Sequence, residues 1–271
     1  MDRRILLIGF GNMGQALVHG WLERGMPPAS IHVVDPAEAS RETARTLGIG
    51  ASAAADEPAL AHRPDAVVIA VKPHQVDDVM RPFAPLAAAG ALFVSIAAGK
   101  TLASLRRALG TDAPVVRAMP NTPAAIGRGM TVMTASDGVD APRRALADEL
   151  LGAVGATAWV DDEGQMDAVT AVSGSGPAYV FLLIECLTRA GVKVGLGEEL
   201  AERLATATVA GAGAYAERSG QAAAELRRRV TSPNGTTEAA LRVLMGDDGL
   251  EQLLERAVRA AADRSRELSG A

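Results

Sequence analysis

A chain of 271 residues with a formal net charge of -5, 48% hydrophobic and 22% charged residues has the make-up of a globular protein of one large or two ordinary domains. The acidic balance and 3% aromatic content give neither a basic footprint nor stacking platforms, which argues against a nucleic-acid partner. No uncharged apolar run approaches the roughly 18 residues of a membrane span, no secretory signal is expected, and the single cysteine, Cys186, leaves no intrachain disulfide, so neither a membrane partner nor an oxidising compartment is expected and a cytoplasmic setting fits.

Residues 4–8 (RILLI) form a short apolar run that ends in Gly9, Phe10, Gly11, Asn12, Met13 and Gly14, after which Ala16, Leu17, Gly20, Trp21 and Leu22 recur at helical spacing. This is strand, glycine turn, helix. Gly9 permits the tight turn, Gly11 lets a pyrophosphate approach the backbone, and Gly14 lets the helix pack closely on the strand. Residues 31–34 (IHVV) read as a second strand ending in Asp35, about twenty residues on, where an adenosine ribose is gripped. The pattern predicts a dinucleotide site, the bland alternative being a tight strand-to-helix connection. Asp35 also stands where a 2'-phosphate would sit and disfavours NADPH, while Arg41 and Arg45, one and two turns into the next helix, are spaced to offset such a phosphate.

Strands at 66–70, 91–95 and 115–118 then alternate with helices near 37–47, 76–86 and 103–109. Such alternation predicts a parallel sheet wound on both faces, with ligands at the carboxyl ends of its strands. Lys72, Ala98 and the segment Met119, Pro120, Asn121, Thr122, Pro123 follow such ends. After 156–160 the pattern turns all-helical, and a domain boundary is expected near Asp161. Helices are expected at 166–172 and 178–187 with a kink or break at Ser173, Gly174, Ser175, Gly176 and Pro177, and at 198–217, where small residues cover much of the circumference and point to burial against other helices. The acidic clusters Asp161, Asp162, Glu163 and Asp247, Asp248 lack His or Cys at ligand spacing, so no metal site is expected.

Residues 230–237 (VTSPNGTT) pack four hydroxyls, a proline and a glycine before an apolar-periodic run, with Thr236 or Thr237 expected as N-cap. The exposed N–H groups and dipole of such a helix start suit a small anion such as a carboxylate.

Together, GFGNMG, AVKPHQ (70–75), SIAAG (95–99), RAMPNTPA (117–124), AVSGSGPAY (171–179) and VTSPNGTT resemble the pyrroline-5-carboxylate reductase family over nearly the whole chain. The resemblance implies an α/β fold, an N-terminal doubly wound Rossmann domain (1–160) followed by an all-α C-terminal substrate-binding and dimerisation domain (161–271), with dimers often assembled into rings. It implies reduction of 1-pyrroline-5-carboxylate to L-proline with NADPH or NADH. It assigns residues 9–13 to the pyrophosphate turn, sets Ala70, Lys72, Pro73, Ala97 and Ala98 around ribose and nicotinamide, and adds Asn121 to the cofactor side. On the substrate side it implies that Thr237 hydrogen-bonds the ring nitrogen, that Thr236 and Gly235 present N–H groups to the carboxylate, that Glu163 lies near the bound product, that Ser175 and Gly176 line the same pocket, and that Ser232 belongs to the substrate-binding set. Where the family usually has two glycines, this chain reads Asn234, Gly235. Asparagine tolerates positive φ, so the turn is expected to survive. Two other classes fit the chain less well. A β-hydroxyacid dehydrogenase needs a lysine near Val180, and a sensor of NAD(P) without catalysis leaves VTSPNGTT unexplained.

Overall fold

A computed structural model of the chain describes residues 3–110 and 113–270. By contacts the chain divides into two compact units, one comprising residues 1–174 and 262–271 and the other residues 175–261. The change from sheet to helices near residue 160 and the division by contacts at Gly174 therefore fall at different places.

Among the described residues the first unit is built on eight strands: β1 (Ile5–Ile8), β2 (Ile31–Val34), β3 (Gly50–Ser52), β4 (Ala66–Ile69), β5 (Leu92–Ser95), β6 (Val115–Met119), β7 (Gly129–Ala135) and β8 (Gly155–Trp159). They form one sheet in the order β3-β2-β1-β4-β5-β6-β7-β8. The first six are parallel, as the alternation predicts. β7 is antiparallel to β6, and β8 runs parallel to β7, so the far edge departs from the all-parallel expectation. The β6–β7 connection is a short 3-10 turn, Thr122–Ile126, which has no crossover helix and so can only reverse the chain.

Helices α1 (Asn12–Glu23), α2 (Glu38–Thr46), α3 (Glu57–Ala61), α4 (Val76–Met80), α5 (Ala84–Ala88), α6 (Leu102–Leu109), α7 (Ala141–Leu151) and α8 (Met166–Val169) flank the sheet. The helix expected over 76–86 is split into α4 and α5 by a 3-10 turn, because Pro82 and Pro85 remove two amide donors and clash with the preceding turn. Successive residues of β1 serve opposite cores: Ile5 and Leu7 pack with Trp21, Val94 and Leu150, while Leu6 and Ile8 pack with Met80, Phe83 and Phe93. This period of two is what a sheet covered on both faces requires. Trp21 Nε1 satisfies itself within the first core by donating to the Leu150 carbonyl at 2.8 Å.

The break expected around residues 173–177 is instead a π turn, Thr170–Gly174, which leads from α8 towards α9 (Gly176–Lys193). Pro177 lies in the first turn of α9, where its missing N–H costs no helical bond. Gly174 is pressed against the Met119 side chain and has no room for a Cβ.

The second unit holds α9, α10 (Glu198–Ser219), α11 (Ala223–Arg229), α12 (Thr236–Leu244) and most of α13 (Leu250–Ser269). α9 and α10 form an antiparallel pair that comes close where Gly191 meets Ala201. In the single chain no residue of α9 is buried, and only Ala201 and Ala205 of α10 are. Phe181, Leu182, Leu183, Leu200, Leu204, Val243 and Leu253 are all exposed. The helical stretch 163–193 is long and apolar enough to cross a bilayer by length and composition alone. Its exposed apolar residues continue onto α10, α12 and α13, which is the distribution of a protein-facing surface. Sedimentation equilibrium at micromolar concentration is therefore expected to return at least twice the chain mass. A monomer mass would contradict this reading of the helical surface.

Candidate functional site

The carboxyl ends of β1, β2, β4 and β5 are level, because Ile8 pairs with both Val34 and Ile69, and Ile69 pairs with Ser95. The residues that follow, Gly9, Asp35, Ala70 and Ile96, therefore lie in one row along the sheet edge. The strand order reverses at β1, which makes this edge the place where an open α/β sheet binds ligands. A cleft of about 510 Å³ opens there, lined among others by Gly9, Gly11, Asp35, Ala70 and Lys72.

Gly9 has φ +93°, and a Cβ on it would lie 2.6 Å from the Ala70 carbonyl oxygen. Gly14 faces the Gly9 carbonyl with no room for a side chain either. Gly11 differs: nothing lies within 4 Å of where its Cβ would stand, and it is the N-cap of α1 without a capping side chain. The first N–H groups of this twelve-residue helix, those of Asn12 and Met13, have no intrahelical partner. A bare backbone, an open approach and a helix N-terminus are what a pyrophosphate needs, so the residues present fit a dinucleotide.

Asp35 is held in place by its neighbours. Its Oδ2 accepts from the Phe10 amide at 2.7 Å and its Oδ1 from the Ala37 amide at 2.9 Å. The carboxylate thus ties the glycine turn to the end of β2. Arg41 Nη1 donates to the Asp35 carbonyl at 2.8 Å, and its Nη2 pairs with Glu38, which also accepts from Arg45 Nη1 at 2.7 Å. Those two guanidiniums, Arg45 first, hold the Glu38 carboxyl below its ordinary pKa.

The cleft's far wall was not legible in the sequence. Ala53, Ala54 and Ala55 follow β3, a strand of three residues too short to show a period, and Gln75, Asp78, Val79, Pro82 and Phe83 come from the segment around α4. Asp56, next in line, caps α3 through the Ala59 amide at 3.0 Å. Burial acts to raise its pKa, and hydrogen bonds from Ser52 and Ala59 outweigh that and lower it.

Other expected cofactor residues lie around the row without lining the cleft. Phe10 is wholly buried in the core, Pro73 opens a 3-10 turn beyond Lys72, and Ala97 and Ala98 follow β5, with the Ala97 amide on Ser95 Oγ at 3.3 Å. The Asn121 amide is already engaged: Oδ1 accepts from the Met130 amide at 2.9 Å, and Nδ2 donates to the carbonyl and Oγ of Ser173, each at 3.3 Å. It pins the π turn to the β6–β7 loop. Glu163 is committed likewise. Its Oε1 accepts from the Leu102 amide at 2.7 Å and from Arg117 Nη1 at 2.8 Å. The Arg117 side chain is only 6% exposed, so Glu163 supplies the counter-charge for a buried guanidinium on β6.

In the second unit Ser175 is the N-cap of α9 and Gly176 its first residue. Asn234 has φ +57°, so the turn before α12 survives the departure from two glycines. The N-cap of α12 is Gly235, not either threonine as expected; Thr236 and Thr237 fill the first two helical positions. Gly235 N–H turns back to the Ser232 carbonyl at 3.0 Å, so the helical N–H groups free for a carboxylate are those of Thr236 and Thr237. Glu238, three residues past the N-cap, completes the turn by accepting from the Asn234 amide at 2.8 Å, one residue before the N-cap amide that a capping box uses.

Comparison with known proteins finds relatives over nearly the whole chain. Residues 163–268 match the family model described as pyrroline-5-carboxylate reductase dimerisation, and residues 4–99 match one described as NADP oxidoreductase, coenzyme F420-dependent. A pyrroline-5-carboxylate reductase of Pseudomonas aeruginosa is 47% identical over 98% of this chain and 97% of its own length. A solved structure of a pyrroline-5-carboxylate reductase from Coxiella burnetii superimposes with a TM-score of 0.94 at 37% identity, covering 99% of both chains. A Plasmodium falciparum pyrroline carboxylate reductase, solved with NADP bound, superimposes at 0.84 with 29% identity, covering 99% of this chain and 98% of that one.

The two glycines of the turn are separable by mutation. Gly9→Ala forces a Cβ onto the Ala70 carbonyl at a positive φ and is expected to lower stability by about 1 to 3 kcal/mol. Gly11→Ala meets nothing in the protein and is expected to leave the melting temperature within about 2 °C, while weakening NAD(P)H binding in a fluorescence titration. Equal melting losses in both variants would contradict the assigned roles.

Proposed function

The chain belongs to the pyrroline-5-carboxylate reductase family, and from that premise we propose how its own residues carry out the reduction of 1-pyrroline-5-carboxylate to L-proline, the last step of proline biosynthesis. The protein is an NAD(P)H-dependent oxidoreductase that acts on a CH–NH bond. When bound, the reduced nicotinamide supplies the hydride. The residues proposed to hold it are Gly9, Phe10, Gly11, Asn12 and Met13 at the pyrophosphate, Asp35 at the adenosine ribose, and Ala70, Lys72, Pro73, Ala97 and Ala98 along the remainder, with Asn121 acting through the π turn it pins.

The chain's remaining task is to orient the ring. A protonated imine is already electrophilic, so it accepts hydride at carbon, keeps its proton on nitrogen and becomes the secondary amine of proline without a basic side chain. The observation that carries the assignment is the start of α12. There a turn closed by Ser232, Asn234 and Glu238 leaves the Thr236 and Thr237 N–H groups facing outward at the positive end of a helix, which suits the substrate carboxylate. The Thr237 hydroxyl, in the first turn, is proposed to hydrogen-bond the ring nitrogen. Ser175 and Gly176 at the start of α9 are proposed to line the same pocket. Glu163, whose Oε1 accepts from Arg117 and Leu102, is proposed to act near the product.

The β-hydroxyacid dehydrogenase alternative lacks its amine. Val180 stands on α9 where that lysine is needed, and Lys100 is held by both oxygens of Asp77 at 2.8 and 2.9 Å. Self-association through the helical unit is part of the family's design, and a ring of dimers in a cytoplasmic setting is the larger assembly we propose.

Thr237→Ala is expected to lower turnover by about tenfold to a hundredfold, the loss of one positioned hydrogen bond of about 1 to 3 kcal/mol, with NAD(P)H affinity unchanged. Steady-state kinetics on 1-pyrroline-5-carboxylate beside a cofactor titration check both halves. Turnover within twofold of the parent would remove Thr237 from the mechanism.

A further inference from the structure

Four charged groups meet at the end of β2, beside the cleft that takes the dinucleotide. Asp35 is fixed by two backbone amides and sets its carboxylate at the rim. Arg41, its side chain only 12% exposed, reaches back along α2 to the Asp35 carbonyl and turns its other terminal nitrogen to Glu38. Arg45, one turn further, donates to the second oxygen of the same Glu38 at 2.7 Å. One carboxylate therefore occupies both guanidiniums, and the cluster of Asp35, Glu38, Arg41 and Arg45 carries two negative and two positive charges.

A 2'-phosphate adds close to two negative charges and is recognised by a guanidinium that is free to present a fork of donors to it. The sequence contains such guanidiniums; the structure shows them already paired. We propose that Glu38 sets the cofactor preference: by holding Arg41 and Arg45 it withholds them from a 2'-phosphate, leaves the fixed charge of Asp35 uncompensated towards that group, and makes NADH bind at least as well as NADPH. Glu38 thereby acts as a specificity-determining residue although it does not line the cleft. The inference rests on the reading of the cleft as the dinucleotide site and adds the choice between the two cofactors.

Removing the charge of Glu38 without its volume isolates the effect, and its side chain, 56% exposed, has no place in the core. Dissociation constants of NADH and NADPH are measured by fluorescence titration of the full-length protein and of Glu38→Gln, with no substrate present. The parent is expected to bind NADH at least as tightly as NADPH. Glu38→Gln is expected to tighten NADPH relative to NADH by fivefold or more while NADH binding stays within twofold, which also reports that the variant is folded. The triple variant Glu38→Gln, Arg41→Met, Arg45→Met is expected to lose that gain. A relative shift below fivefold in Glu38→Gln, a gain that survives in the triple variant, or a parent that binds NADPH more tightly than NADH would each overturn the proposal. A parent that binds neither dinucleotide would remove the reading of the cleft and the inference with it.

Discussion

The approach of Gly9 to Ala70 is the constraint on which the rest of the site depends. Two parallel strands end level there, and the chain leaving β1 must pass within van der Waals contact of the chain leaving β4 before it can start α1. Only a residue without a Cβ at positive φ makes that passage. Once it is made, the Phe10 amide meets Asp35, α1 begins at an uncapped Gly11, and the helix N-terminus opens on the cleft. A bound phosphate would meet backbone amides already aimed and held by the sheet, which is why the site needs so few side chains.

A second set of ties runs from β6 to the stretch that leads into the helical unit. Arg117, buried next to Ser95 in the sheet register, is neutralised by Glu163, and the same carboxylate receives the first amide of α6. Asn121 does the equivalent for the π turn. Removing one partner of such a buried ion pair commonly costs about 3 to 5 kcal/mol. The structure gives Glu163 and Asn121 each a neighbour to hold in position. For an imine that is already electrophilic, such orientation is the larger part of what the protein must contribute.

Much of this was legible in the chain because it is local. The glycine turn, Asp35 at the end of the second strand, the apolar runs of β1, β4 and β5, and the positive φ at Asn234 each follow from residues within a few positions of one another. The antiparallel strand was not: no strand was expected over 129–135, and β7, lying between β6 and β8 and buried along most of its length, carries no alternation to mark it and nothing to mark its direction. Nor was the use of Glu163 and Asn121, whose partners lie 46 and 52 residues away. Glu38 falls between these cases. Its spacing to Arg41 is that of an ordinary i,i+3 helix pair, whereas Arg45 lies seven residues on, and only the folded Arg41, turned back onto the Asp35 carbonyl, shows that the pairing bears on the cleft.

A chain of this family reduces a cyclic imine with a nicotinamide cofactor, and an imine that is already protonated needs no basic catalytic side chain for it. The most direct measurement follows absorbance of NADH and of NADPH as the purified protein is given 1-pyrroline-5-carboxylate, with the product identified by mass, beside a parallel assay with a 3-hydroxy acid and NAD. Oxidation of the reduced cofactor is expected to depend on the imine and to yield proline, with no reaction of the hydroxy acid. Absence of imine-dependent oxidation with both cofactors, or turnover of the hydroxy acid, would contradict that expectation.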